Sequence, residues 1–315
     1  MARTIRRPLD RLLANVEKVI KGKTETIENA IIGILARGHV LFEDVPGVGK
    51  TTLAHVLARS LECSFQRIQF TSDLLPSDIL GVTIFNQESR EFEFKPGPIF
   101  ANLVLVDEIN RTTPKTQSAL LEAMNTAQVS IDKITHELPR PFIVFATQNP
   151  IEFHGTFPLP KSQLDRFLIR LHIGYPDAEN ERTILKEQRG GEQTTEVEPV
   201  LVREEIIELQ EAVHKVKVDD DLLEYITRIA NATRSSDLIE LGLSTRGSLA
   251  LRRCAQAKAY FENRDFVTPD DIKAMVLPVV THRIQVAKTF ERGGFNHRED
   301  RDVLTHVLNE VEVPL

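Results

Sequence analysis

From Leu9 to Ile20 the apolar positions Leu12, Leu13, Val16, Val19 and Ile20 recur at helical spacing. Arg11, Glu17 and Lys18 fall on the opposite side, which predicts an amphipathic helix ended by Gly22. Thr24 can cap a second helix with the apolar face Ile27, Ile31, Ile34 and Leu35, stopped by Gly38. The period then changes. Val40 to Phe42, Gln66 to Phe70, Leu103 to Val106, Phe142 to Ala146 and Leu168 to Ile173 read as strands. The unbroken apolar runs among them are those of strands covered on both faces of a parallel sheet. Two stretches alternate around polar turns, residues 81–94 and 129–138, and predict hairpins. Thr113-Pro114 opens a helix running to about Thr126.

After Tyr175-Pro176 the pattern becomes helical with polar links. Asp177 caps a helix from Ala178 to about Gln188, and 189–199 reads as a loop rich in Gly, Thr and Glu. Helical spacing returns over 203–216, 221–233 and 246–263. Thr268-Pro-Asp-Asp271 reads as a capping box, in a helix that Pro278 kinks or ends, and 302–311 reads as a last short helix. The expected division is an α/β domain over 1–174 and an all-helical domain over 175–315, in keeping with a length of 315 residues.

Composition narrows the class. Apolar residues make up 41% and charged residues 27%, as in a soluble globular protein. The net charge of −7 advertises no nucleic-acid surface, and Arg3, Arg6 and Arg7 read as a solvated arm. Cys63 and Cys254 make neither a disulfide framework nor a metal spacing, which fits a reducing cytoplasm. Residues 1–11 lack the apolar core of a signal peptide, and no apolar run is long enough to span a bilayer.

The chemistry centres on Glu43-Asp-Val-Pro-Gly-Val-Gly-Lys-Thr-Thr52, between a buried strand and a helix. Backbone N–H groups at such a junction can surround a phosphate. Gly47 and Gly49 let the backbone approach, Lys50 supplies charge for the β/γ-phosphates, and the Thr51 hydroxyl is placed for Mg2+. The strict phosphate-loop pattern has glycine where this chain has Asp44. Asp107 and Glu108 end the strand 103–106, at the edge where open α/β sheets bind ligands. There Asp107 can hold the Mg2+ water shell and Glu108 can orient a water for attack on the γ-phosphate. Asn149 follows the next strand, where an amide can touch that water, or where Asn-Pro simply makes a turn.

These motifs together resemble an AAA+ ATPase, and more narrowly the MoxR family. The residues that carry the resemblance are Asp73-Leu-Leu-Pro-Ser-Asp78, Lys95-Pro-Gly-Pro-Ile-Phe-Ala-Asn102, Asp107-Glu-Ile-Asn-Arg111, Pro114-Lys-Thr-Gln-Ser-Ala-Leu-Leu-Glu-Ala-Met124, Ala146-Thr-Gln-Asn-Pro150, Gln163-Leu-Asp-Arg-Phe167 and Ser244-Thr-Arg246. The resemblance implies a phosphate-loop core with a five-stranded parallel sheet, followed by a helical lid. Pro46, Gly47, Val48, Gly49, Lys50, Thr51 and Thr52 then match Walker A, and Asp107 and Glu108 match Walker B. Asn149 matches sensor 1 and Arg246 sensor 2; Val19, Ile20 and Gly22 match the segment that contacts adenine. Arg166 matches the arginine finger supplied by a neighbouring subunit, with Arg111 as the second choice. Thr51 and Asp107 are the implied metal residues, and ATP and Mg2+ the implied cofactors.

The resemblance also implies a cytoplasmic ring of copies, six by expectation. Hydrolysis would act on a client protein, with a von Willebrand factor A domain protein as a possible partner. Two other outputs compete: a nucleic-acid motor using Lys95, Lys133 and Arg140 beside the hairpins, and a scaffold that binds ATP only to assemble. The acidic balance counts against the first, and the intact Glu108 against the second.

Overall fold

The computed structural model describes residues 8–45, 47–149, 155–187, 197–287 and 297–314. Arg3, Arg6, Arg7, Pro46, Pro150 and most of the expected loop after Gln188 lie outside the described residues. The chain forms two compact units. One comprises Met1–Ile31, His39–Pro158 and Leu171–Glu208; the other comprises Ile32–Gly38, Leu159–Arg170 and Leu209–Leu315.

The central sheet has five strands: β1 (Val40–Glu43), β2 (Phe65–Gln69), β5 (Leu103–Asp107), β8 (Ile143–Gln148) and β9 (Ile169–Leu171). Their spatial order is β2-β5-β8-β1-β9. The pairs β1–β8, β2–β5 and β5–β8 run parallel, with Val40 opposite Phe145 and Gln69 opposite Asp107. Every residue of β1 and β5 is buried, as their unbroken apolar runs require. Edge strand β2 buries only Ile68 and leaves Arg67 and Gln69 exposed. Helix α1 (Pro8–Glu17) covers part of this unit, α2 (Thr24–Leu35) leads to β1, and α3 (Lys50–Ser60) follows the phosphate loop. Asn15, buried in α1, donates to Ser60 Oγ at 2.9 Å and so fixes the end of α3.

Between β2 and β5 lie the short helix α4 (Pro76–Leu80) and the hairpin β3 (Gly81–Asn86)–β4 (Glu91–Pro96). Asn86 Oδ1 closes the hairpin turn by accepting from the backbone of Glu88 at 2.9 Å. Helix α5 (Pro114–Thr126) precedes the second hairpin, β6 (Gln128–Ile131)–β7 (Ile134–Glu137). Its two turn residues, Asp132 and Lys133, both have positive φ, the geometry that matches strand twist. The hairpins meet where Phe94 stacks on His136 with ring centres 4.0 Å apart. The unit also holds α7 (Ala178–Glu187), whose first turn is capped by Asp177 Oδ1 accepting from Asn180 N at 2.8 Å.

The second unit contains α6 (Lys161–Leu164), α9 (Asp220–Ser235), α10 (Thr245–Phe261), α11 (Pro269–Val280) and α12 (His297–Asn309). The helix α8 (Arg203–His214) crosses from one unit's residues into the other's. The helical lid also carries a two-stranded antiparallel ribbon, β10 (Ile239–Leu241) with β11 (Gln285–Val286). Strands of two and three residues are too short to show a period. Pro278 does not end α11, which continues to Val280, since a proline this near the C-terminus forfeits a single helical bond.

The expected capping box is present at Thr268. The Asp271 carboxylate accepts from Thr268 N at 2.7 Å and Oγ1 at 2.8 Å, and from both Arg264 Nη atoms at 2.6 Å. Asp271 is 2% exposed. Asp271→Ala therefore strips a buried carboxylate from its partners and should destabilise α11 by about 3 kcal/mol, at the lower end for a broken buried pair. Hydrogen exchange of the α11 amides measures this, as faster exchange confined to the second unit.

Candidate active site

The parallel sheet ends its strands at one edge, and the polar residues of the chain begin there. Beyond β1 the loop turns through Gly47 (φ 82) and Gly49 (φ 90), both in the left-handed region. A Cβ at either position would meet nothing within 4 Å. The glycines are needed for these angles and leave the loop surface open, so the protein itself does not crowd them. Lys50 Nζ donates to the carbonyls of Asp44 at 2.6 Å and Val45 at 2.9 Å, folding the loop around its own cation. Burial lowers the Lys50 ammonium below the ordinary lysine value, while Asp44, Asp107 and Glu108 oppose the fall.

Asp44, where the strict pattern has glycine, has a task of its own. Its Oδ2 accepts from Ile173 N at 2.7 Å and Gly174 N at 2.6 Å, and its Oδ1 from Val45 N at 3.0 Å. One carboxylate thus pins the start of the phosphate loop to the chain that leaves β9, with charge-assisted bonds.

Asp107 is 6% exposed. Its Oδ1 accepts from Thr147 Oγ1 at 3.3 Å, and its Oδ2 lies 3.5 Å from Thr51 Oγ1. Arg67 Nε donates to the same Oδ2 at 2.6 Å. A hydroxyl and a carboxylate are hard oxygen donors suited to Mg2+, which keeps its waters and takes few protein ligands when phosphates are present. Among the described residues no group of three His, Cys, Asp or Glu could hold a metal alone. Thr51 and Asp107 therefore fit the ion.

Glu108 adopts the left-handed region (φ 58, ψ 53), at a cost of about 1–2 kcal/mol for a residue with a Cβ. Its backbone N–H is held by Thr147 Oγ1 at 2.9 Å. Its Oε2 accepts from Gln69 Nε2 at 2.7 Å and Arg111 Nη1 at 2.9 Å. Arg111, the second choice for a finger, is thus paired with Glu108 of its own chain. Asn149, 6% exposed, sits past β8, and its carbonyl accepts from Asn110 Nδ2 at 3.3 Å.

A cleft of about 790 Å³ adjoins the loop, a size that suits a nucleotide. Val19 and Ile20 line it, with Gly47, Val48, Gly49, Thr51 and Thr52. Tyr175, Ile184 and Leu185 add apolar wall. Gly22 is not among the lining residues; a Cβ there would lie 2.2 Å from Asn180 Nδ2, so it serves close packing onto α7. Arg166 and Arg246 belong to the second unit. Arg67, Gln69 and the clamp formed by Asp44 were not anticipated. On an edge strand the first two looked like ordinary solvated positions, and nothing local marks Asp44's partners 129 and 130 residues away.

The phosphate loop, the acidic strand end and the polar end of β8 on one sheet edge define a phosphate-loop ATPase of the AAA+ class. Residues 39–169 match the model of the ATPase family associated with various cellular activities, and 231–306 match the AAA lid domain. The chain is 45% identical over 307 residues to the uncharacterized protein YeaC of Bacillus subtilis, covering 98% of this chain and 95% of that one. It is 40% identical to Chaperone MoxR1 of Mycobacterium tuberculosis, over 88% and 75% of the two chains. It is 31% identical to Protein MoxR of Methylorubrum extorquens, over 88% and 87%. A crystal structure from Cytophaga hutchinsonii, of a protein assigned as an ATPase, superposes with a TM-score of 0.88 at 37% identity, over 98% and 95%. The chain belongs to the MoxR family of AAA+ ATPases, and it is an ATP hydrolase.

Asp44→Gly, which restores the strict phosphate-loop pattern, should weaken the protein. It leaves the N–H groups of buried Ile173 and half-buried Gly174 without an acceptor, a loss of about 1–3 kcal/mol in all. Thermal unfolding with and without ATP measures the loss, and the nucleotide-induced rise in Tm should shrink as well.

Proposed function

We propose that the chain works as a ring of six copies that hydrolyses Mg2+-ATP and moves its lid and hairpins against a client protein, in a chaperone-like manner. The observation that carries this reading is an apolar arm on the nucleotide-binding unit. Phe85 and Phe92 pack edge-on at 5.3 Å near the tip of β3–β4, yet remain 52% and 75% exposed. Exposed aromatic pairs are costly to leave in water and suit transient contact with protein. Lys95, half-exposed at the base of the same hairpin, is paired with Glu93 at 2.9 Å, which reduces its availability to a nucleic acid.

In this reading residues 1–174 supply the phosphate and metal contacts, Tyr175, Ile184 and Leu185 join the cleft wall, and 175–315 otherwise form the lid. Backbone N–H groups of the loop at Gly47, Val48 and Gly49 hold the phosphates, with Pro46 in the same loop. Lys50 leaves its loop carbonyls to meet the β/γ-phosphates, and Thr51 and Asp107 hold the metal, with Thr52 beside them at the start of α3. Held there, Mg2+ would supply positive charge that offsets the charge of the phosphates. Val19 and Ile20 receive the base, with Gly22 setting the chain that follows them. Glu108 orients the attacking water and takes its proton, once the contacts from Gln69 and Arg111 loosen. Asn149 holds that water against the γ-phosphate. Arg246 reports nucleotide state to the lid, and Arg166 enters the site of the next copy.

The partner side of the reading is a client protein, reached through a von Willebrand factor A domain protein, and the acidic balance disfavours a nucleic acid. Among the described residues no helix is long and apolar enough to cross a membrane. Burial pushes the thiols of Cys63 and Cys254 up to about 11 and about 12, so neither is poised for redox or nucleophilic chemistry. Both are free, in accord with a cytoplasmic setting.

Glu108→Gln should bind ATP as the native protein does and lose turnover by about 10²–10⁴-fold, the usual contribution of a general base. Nucleotide binding by fluorescence, set beside phosphate release, separates the two. Native turnover in this variant would remove Glu108 from the role.

A further inference from the structure

Arg283 is 5% exposed, and its donors converge on one short segment. Nε donates to Asp165 Oδ1 at 2.8 Å. Nη2 donates to the carbonyls of Asp165 at 3.4 Å and Phe167 at 2.6 Å. Nη1 donates to Leu168 O at 3.1 Å and to Val279 O, on α11. The neighbouring His282, fully buried, brings Nε2 within 3.0 Å of Phe167 O. The gripped residues flank Arg166 on both sides.

A buried guanidinium costs several kcal/mol in lost hydration, and apolar packing could close an ordinary turn without that cost. Helix α6 is a single turn, and local bonds hold only its N–H groups there, from Arg166 N to Gln163 O at 3.1 Å and Phe167 N to Leu164 O at 3.0 Å, while Arg283 holds the carbonyls of Asp165, Phe167 and Leu168. Asp165 has a second partner. Ser244 Oγ lies 3.5 Å from Asp165 Oδ2, at the outer edge of a hydrogen bond. Ser244 is the N-cap of α10, accepting from Gly247 N at 3.1 Å, and Arg246 is the second residue of that helix.

We infer that Arg283 is a positioning residue: by gripping Asp165 and the carbonyls around Arg166, it sets how that arginine reaches the ATP site of a second copy of this chain. Asp165 and Ser244 mount Arg166 and Arg246 on the same cluster, so the arginine sensing a subunit's own nucleotide and the one serving its neighbour shift together. The inference rests on reading Arg166 as the arginine supplied in trans. A charge acting on a transferring phosphoryl group depends on placement, and an error of about 1 Å can cost about 10²-fold in rate.

The test compares ATP turnover by assembled native protein, Arg166→Ala, Arg283→Lys and the double variant, with kcat and KM resolved. Arg283→Lys keeps a cation opposite Asp165 and loses the grip on the carbonyls. Arg166→Ala should lower kcat by about 10³-fold or more. Arg283→Lys should lower kcat by about 10–10²-fold, with KM within about threefold, and the double variant should be no slower than Arg166→Ala alone. Native kcat in Arg283→Lys beside a slow Arg166→Ala overturns the inference and leaves the finger standing. Native kcat in Arg166→Ala removes the finger itself. A double variant slower than either single shows that Arg283 acts by another route, which also overturns it. If circular dichroism shows Arg283→Lys unfolded, Asp165→Asn takes its place, with the same expected and contradicting results.

Discussion

Strands β1 and β5 are buried along their whole length, so neither can carry a free charge until the sheet ends. That constraint places the chemistry. Parallel pairing brings the carboxyl ends of β1, β5 and β8 side by side, where open α/β sheets bind ligands. Adjacent strands lie about 4.8 Å apart, so Asp44, Asp107 and Asn149 share one edge through geometry alone.

Asp107 is buried at that edge and Asp44 and Glu108 are half-buried, and each has specific partners. Asp107 has Arg67, Thr147 and Thr51; Glu108 has Gln69 and Arg111; Asp44 has two backbone N–H groups across the sheet. Lys50 is likewise satisfied by loop carbonyls. The charged groups of this edge are therefore joined in one network of side-chain and backbone contacts.

Much of this was legible in the sequence because it depends on local pattern. Unbroken apolar runs marked β1, β5 and β8, Thr113-Pro114 and Thr268-Asp271 marked helix starts, and the hairpins followed from alternation around polar turns. The Lys50-Thr51 and Asp107-Glu108 pairs needed only their place after buried strands. What escaped were contacts between distant positions. Asp44 looked like a tolerated departure from a glycine, and only its partners at 173 and 174 show it to be a clamp. The close approach of Gly22 to Asn180, which leaves no room for a Cβ, likewise had no local mark. Arg283 had no motif at all, because a buried cation gripping carbonyls more than a hundred residues away leaves no periodic trace.

The central claim is that a subunit's site is finished by its neighbour. ATP turnover per subunit, followed across a wide dilution series with oligomeric size measured in parallel, tests it most directly. The account predicts that specific activity falls as the assembly dissociates. Constant activity down to concentrations where the protein is monomeric would mean the site is complete in one chain, and would contradict it.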